Sequence, residues 1–273
     1  MVLKIVKQNL KGVPETLLIP LWARAVEVKQ SRPIIKDCLS AKMMEEIDYD
    51  FTKFDKEWPT QISVVIRTEL LDKATREFIS KNPDAVIINL GCGLDTRFFR
   101  LNNGKIHWYD LDLPESIHIR KQFFQETESH KMIAKSIFDY SWIEDIDLTN
   151  EPVLIIAEGL MMYFTEQEVK EVMSKLTNAF PEAEMLLETV PVSLVKRSKK
   201  QDLIKKQYQI EAQFQWGIKK GEEIEKLDDR IKFIEDWHYF DYHRERWKII
   251  RWLSLIPTFK NRFGNRIVHL KFN

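Results

Sequence analysis

The sequence predicts an α/β protein: a mostly parallel, Rossmann-like sheet of seven strands with helices on both faces. Three observations carry this expectation. From Ala85 onward, short apolar runs rich in β-branched residues alternate with helical stretches, the pattern of βαβ units. The first run, Val86-Ile87-Ile88, breaks into Gly91-Cys92-Gly93, where the backbone can turn sharply and lie bare against a ligand. Acidic residues then stand at successive strand ends, along the edge where open α/β sheets bind ligands.

The elements follow in order from their punctuation. Residues 14 to 82 read as helical. Pro14 opens one helix, with Leu17, Leu18, Leu21 and Trp22 near helical spacing. Pro33 opens a second with Ile34, Ile35 and Leu39, and Pro59 a third that reaches about Ser80. The third carries an apolar stripe of Ile62, Val65, Ile66, Leu70 and Phe78; on pattern alone Arg67 beside it is a solvated arginine. Strands are expected at 85–90, 106–110, 132–137, 153–157, 185–188, 233–240 and 266–272, with helices at 114–127 and 166–180 between them. Thr165 and Glu168 form a capping box for the latter, and Val169, Val172, Met173 and Leu176 its apolar face.

Residues 193 to 227 interrupt the alternation. A basic run from Lys196 to Lys206 precedes Glu222, Glu223 and Glu225, which reads as a solvated helix face. Phe214, Trp216 and Gly217 within it either line a pocket or dock the insert on the core. A helix at 244–255 leads to the last strand, in a hairpin-like closing of the sheet edge. Right-handed crossovers place every strand's carboxyl end along one edge.

Composition bounds the function. The 273 residues, 44% hydrophobic and 31% charged, have a globular profile and suffice for a large core. Forty-two basic residues balance 42 acidic ones, which argues against a dedicated nucleic-acid partner. Cys38 and Cys92 form no disulfide framework, so reduced thiols and a cytoplasmic location are expected. No Cys/His cluster has zinc spacing, and no metal is expected. The N-terminus lacks a signal-peptide pattern and no stretch approaches the ~20 apolar residues of a membrane span, so no membrane partner is expected.

Four polar features fall at strand ends: Gly91-Cys92-Gly93 with Asp95, Asp110 with Asp112, Asp139, and Glu158-Gly159. Asp112 stands where an acid would accept from ribose hydroxyls. A dinucleotide fingerprint wants a third glycine at position 96, which is Thr96, and there is no G-x-x-x-x-G-K-[ST] loop. A ligand with a ribose but no pyrophosphate fits better, and S-adenosylmethionine is the common one. Asp139 suits the adenine amino group and Glu158 the sulfonium end. The competing reading is that the glycines only turn a strand into a helix and the acids cap turns.

The run Asn89-Leu90-Gly91-Cys92-Gly93-Leu94-Asp95-Thr96-Arg97-Phe98-Phe99-Arg100-Leu101 resembles the signature loop of the leucine carboxyl methyltransferase family, in its bacterial polyketide carboxy-O-methyltransferase branch. Further stretches that resemble it are 109–115, 136–142 and 157–163, with weaker likeness at Ser31-Arg32-Pro33, Ile66-Arg67-Thr68 and Trp216-Gly217. The resemblance implies a class I methyltransferase fold in a single domain, with S-adenosylmethionine as cofactor and S-adenosylhomocysteine as product. It implies that Arg67 pairs with the cofactor's carboxylate, a task suited to a planar guanidinium, with Arg24 as a second basic contact. Gly91, with Cys92 and Gly93, would lie under the methionyl part, Asp110 and Asp112 by the ribose, Asp139 and Tyr140 by the adenine, and Glu158 near the amino group. Tyr163 would face the substrate. Residues 1–82 and 193–227 would act as a helical lid on a core of 83–192 and 228–273.

The reaction asks little of side chains. A methyl on a sulfonium is already electrophilic, and positioning for in-line attack is worth roughly 7–11 kcal/mol. A carboxylate acceptor needs no base, whereas a phenol or alcohol does. Tyr163, His238 and His243 are the candidates for that proton. The expected activity is SN2 O-methylation of a small, polyketide-like or aromatic molecule. The alternatives are methylation of a protein's C-terminal carboxylate and a non-catalytic adenosyl-binding protein.

Overall fold

The computed structural model describes residues 5–273. Seven strands form one sheet in the order β3-β2-β1-β4-β5-β7-β6. They are β1 (Val86–Leu90), β2 (His107–Asp112), β3 (His130–Ala134), β4 (Val153–Ala157), β5 (Glu184–Thr189), β6 (Ile231–His238) and β7 (Arg266–Phe272). The first five pair in parallel, and β7 lies antiparallel between β5 and β6. The expectation that every carboxyl end meets one edge is therefore corrected for β7, which runs the other way. The strand order reverses beside β1, between β1 and β4, and that is where an open sheet has its crevice.

Pattern explains why the central strands are buried on both faces. In β1, Val86, Ile88 and Leu90 join one core while Ile87 joins the other; β4 splits likewise into Val153, Ile155 and Ala157 against Leu154 and Ile156. The first core is closed by α6 (Glu166–Ala179), which presents Val169, Val172, Met173 and Leu176. Its capping box is formed as expected, Thr165 accepting from the Glu168 amide while the Glu168 carboxylate accepts from the Thr165 amide. The second core is closed by α3 (Trp58–Lys81), through Ile62, Ile66, Leu70 and Phe78.

Around these lie α1 (Leu18–Glu27), α2 (Cys38–Glu46), α4 (Arg97–Leu101) and α5 (Pro114–Arg120), then α7 (Val192–Gln201), α8 (Leu203–Tyr208), α9 (Ile250–Leu253) and α10 (Pro257–Phe263). Several boundaries differ from the sequence reading. The second helix begins at Cys38, not Pro33, because Asp37 supplies the cap by accepting from the Ser40 amide. α5 stops at Arg120. The helix expected at 244–255 is broken: His243 and Lys248 adopt positive φ, leaving a 3-10 turn at Arg244–Trp247 before α9 and α10. Among the described residues no helix is long and apolar enough to cross a membrane.

Candidate active site

A cavity of about 550 Å³ lies over the carboxyl ends of β1, β2, β4 and β5. Its floor begins with the glycine turn. Gly91 has φ +64° and Gly93 φ +48°, the left-handed region that favours glycine. A Cβ at Gly91 would fall 2.8 Å from Leu160 Cδ1, so the loop after β4 seals directly onto the turn after β1.

Asp112 ends β2 and faces the cavity. Its Oδ2 accepts from the Gly93 amide at 2.7 Å and its Oδ1 from the Leu113 amide at 2.7 Å. Burial raises this carboxyl above the ordinary range, and the two amides oppose the shift without cancelling it.

Arg67 is buried, which corrects the pattern-based view of it as solvated. Its Nη2 lies 2.7 Å from Glu158 Oε1, and its Nη1 donates to Glu188 Oε2 at 2.8 Å. The far Glu158 oxygen accepts from Arg97 at 2.7 Å. Arg97 in turn holds Asp95 at 2.6 Å and Asp72 at 2.8 Å. Arg100 continues to Asp72 and Asp37, and Arg24 to Asp37, Ser40 and the Leu94 carbonyl. Four guanidiniums thus face five carboxylates in one connected network, before Asp112 is added. Burial works against ionised Glu158, but Arg67 and Arg97 outweigh it and hold the carboxyl below its usual range. Buried Glu188, with the Glu158 charge beside it, is raised despite Arg67.

Of the residues singled out from sequence, Arg24, Arg67, Gly91, Cys92, Gly93, Asp112, Glu158 and Tyr163 share this cavity. Burial pushes the Cys92 thiol up, and the Tyr163 phenol to about 12. Five others are not brought there. Asp110 lies one pleat deeper than Asp112, with its oxygens taken by Asn89, Trp108, Arg120 and His130. It anchors α5 and β3 and faces no ligand space. Asp139 is exposed and caps the turn at Ser141, while Tyr140 donates to Glu171 on α6; the cavity wall beside them is residues 135–138. Of the proposed bases, His238 is buried away from the cavity, its imidazole pushed down to about 4 by burial and by Arg266 and Lys260. His243 pairs with Glu69 at 2.6 Å, also outside the lining.

The structure adds residues that the sequence reading passed over. Glu188 and the Tyr239 hydroxyl, which donates to it at 2.9 Å, both line the cavity. The sequence signal for Glu188 was an acid closing the apolar run Met185-Leu186-Leu187, a further strand-end carboxylate. Above this polar floor the walls are apolar: Ile19, Val64, Leu194, Ile204 and Phe214, with Phe214 packed against the Tyr163 ring at 5.5 Å between centroids.

The donor set fits an adenosyl-methionine ligand on one observation above others. The Arg67 Nε–H is buried and has no partner, although both terminal nitrogens are engaged, which leaves one charged donor for an incoming carboxylate.

Known proteins resemble this chain in sequence and in fold. The family profile described as leucine carboxyl methyltransferase matches residues 18–177. The tetracenomycin polyketide synthesis O-methyltransferase TcmP of Streptomyces glaucescens is 29% identical over 271 residues, 97% of this chain and 98% of that protein. The S-adenosyl-L-methionine-dependent methyltransferase dpfgK of Gibberella zeae is 34% identical over 191 residues, 64% of this chain and 63% of that protein. Among solved structures, a candidate methyltransferase from Thermobifida fusca superposes with a TM-score of 0.57 at 13% identity. It covers 93% of this chain and 95% of its own, a likeness of fold.

Proposed function

Because the chain belongs to the leucine carboxyl methyltransferase family and is an S-adenosylmethionine-dependent methyltransferase, we propose that it methylates an oxygen of a small, largely apolar molecule, with a carboxylate as the acceptor its cavity serves best. TcmP, similar over nearly the whole chain, is named as an O-methyltransferase of polyketide synthesis, and this supports a small-molecule acceptor. The apolar walls support an acceptor with a flat, hydrophobic body.

In this reading the floor holds the cofactor. Arg67 offers its unpaired Nε–H to the carboxylate end, Asp112 accepts from ribose hydroxyls, and Gly91 and Gly93 let the backbone approach. The surplus negative charge of the arginine–carboxylate network favours a ligand that carries a net positive charge. The cofactor supplies a methyl already activated on a sulfonium, so the protein's task is alignment and exclusion of water. Residues 5–82 and 193–227 serve as a cover, the first four residues of the expected lid lying outside the described residues: Thr16 and Leu17 reach the cavity from the first segment, Tyr208 and Phe214 from the second. Tyr208 and Thr60 share a hydrogen bond that joins the insert to α3.

One observation carries the choice of a carboxylate. The phenols beside the apolar walls, Tyr163 pushed up to about 12 and Tyr208 also raised, stay protonated at neutral pH, and Glu188, although burial raises it, already accepts from Tyr239 and Arg67 at its two oxygens. A carboxylate is ionised at neutral pH and needs no base. Cys38 and Cys92 are free, in keeping with the cytoplasm as the setting.

The test is a mass-spectrometric screen of aromatic and polyketide-like acids, their phenol counterparts, and peptides ending in a free carboxylate. The expected product is a methyl ester on a small acid, seen as a gain of one methylene. Methylation of phenols alone would reject the carboxylate, and methylation of peptides alone would reject the small-molecule acceptor.

A further inference from the structure

The segment 246–263, RWKIIRWLSLIPTFKNRF, stands apart in a chain whose charges balance overall: it holds five cations and no acid. It also concentrates exposed apolar surface. Ile249 is 69% exposed, Trp252 59%, Leu255 53% and Ile256 51%, with Leu253 beside them. Five large apolar side chains left in water within eight residues mark a contact surface rather than a solvated one. Two of the cations are engaged inside the fold, Arg246 with Glu27 and Lys260 with Asp241. Lys248, Arg251 and Arg262 instead lie over aromatic rings, Arg251 over Trp252 at 4.8 Å and Arg262 over Phe263 at 5.4 Å. The basic run continues on α7, which packs against α10 through the Ser193 hydroxyl and the Arg262 carbonyl. There Lys196, Arg197, Lys199 and Lys200 are exposed, and α7 contains no acid.

We propose that this face docks on an anionic lipid surface, with Trp252, Leu253, Leu255 and Ile256 entering the headgroup region and the cations held against lipid phosphates. Exposed aromatic and aliphatic side chains interleaved with Lys and Arg are the composition of an interfacial segment. Charge decides among occupants. A second copy meeting this patch through a twofold axis would set cation against cation, because the same surface faces itself. An anionic bilayer satisfies both the cations and the apolar tips. The sequence reading expected no membrane partner because nothing is long enough to span; helices of four and seven residues are suited to lying on a surface, which is a different requirement. Phe263 belongs to this segment and also lines the cavity, so an apolar acceptor dissolved in lipid would enter with little exposure to water. Only that last link rests on the acceptor reading; the docking does not.

The full chain is sedimented with vesicles of phosphatidylcholine alone and of phosphatidylcholine mixed with phosphatidylglycerol. Binding is expected to the mixed vesicles, weak binding to the neutral ones, and release by salt. Arg251→Gln is expected to weaken binding about fivefold, the value of one cation near an anionic surface. Trp252→Ala combined with Ile256→Ala is expected to weaken it further, while circular dichroism and S-adenosylhomocysteine calorimetry stay as in the wild type. No sedimentation with phosphatidylglycerol vesicles would overturn the proposal, as would equal sedimentation of the wild type and the double variant. A wild-type dimer dissolved by the same double variant would assign the face to a second copy, and capture by polyglutamate without binding to vesicles would assign it to an acidic polypeptide; either result would overturn it too.

Discussion

Glu158 and Glu188 grip the same guanidinium through its two terminal nitrogens, 2.7 Å and 2.8 Å from Arg67, yet their acidities move in opposite directions. Glu188 is buried and Glu158 is largely withdrawn from water, which penalises either charge. Glu158 has a second guanidinium, Arg97, and ends below the ordinary carboxyl range. Glu188 has Arg67 alone, the neutral Tyr239 hydroxyl, and the repulsion of Glu158, and ends above it. The neighbours of one acid favour its charge; burial and the neighbouring carboxylate resist the charge of the other.

That difference predicts unequal costs for the same substitution. Glu158→Gln removes a charge that the fold favours and is expected to destabilise by about 1.5–3 kcal/mol at neutral pH. Glu188→Gln removes a charge that the fold resists, but its single amide oxygen can serve Tyr239 or Arg67 and not both, so its cost is expected to be about 1–1.5 kcal/mol, below that of Glu158→Gln. The pH dependence has the matching sign. Glu158 contributes fully above the ordinary glutamate value near 4.5 and loses its contribution as pH falls through its lower folded value. Glu188 is the reverse: its penalty is complete above its raised folded value and is relieved as pH falls toward 4.5. Denaturant melts from neutral to mildly acidic pH should therefore show the wild type gaining on Glu188→Gln as pH falls through that window. Equal costs for the two variants would refute the assignment.

Much of this arrangement was legible in the chain. The glycine turn, the tip of β2 and the Glu158 tip announce themselves because a short strand followed by Gly or Asp has few other readings. Arg67 was not legible from pattern: an arginine beside an apolar stripe looks solvated until the five carboxylates that neutralise this network are folded around it, and those come from positions 37 to 188. Asp110 and Asp112 share a strand face, and spacing alone cannot tell the one that reaches the cavity from the one sealed by Arg120 and His130. Asp139 was misplaced for the opposite reason, since the loop after β3 turns outward before it. The break inside the helix expected at 244–255 was hidden because the positive φ at Lys248 falls on a residue type with little propensity for it.

Asp112→Ala is expected to weaken S-adenosylhomocysteine binding by about 1.5–3 kcal/mol, the worth of a hydrogen bond to a charged group. The substitution also frees the Gly93 amide, so some loss of stability should accompany it. Calorimetry separates the effects: wild-type affinity in a folded variant would remove Asp112 from the ribose role.

Gly91→Ala tests the turn. Its φ of +64° strains any residue with a Cβ, at about 1–2 kcal/mol, and that Cβ would meet Leu160 Cδ1 at 2.8 Å. Removing the obstacle with Leu160→Ala should restore part of the loss and leave the backbone strain. A double-mutant cycle read by thermal melts is expected to show favourable coupling between the two. Additive losses would mean that Leu160 yields freely and the contact carries no constraint.

Tyr163→Phe tests whether any side chain takes a proton from the acceptor. With its pKa pushed up to about 12, the phenol stays protonated at neutral pH. A group so rarely ionised shapes the cavity beside Phe214 and does little as a base. Loss of the hydroxyl is therefore expected to lower kcat less than tenfold and to leave the pH–rate profile unmoved through the neutral range. A general base contributes 10²–10⁴-fold, so a fall of that size, with a basic limb vanishing from the profile, would make Tyr163 catalytic. It would also turn the acceptor from a carboxylate to a hydroxyl.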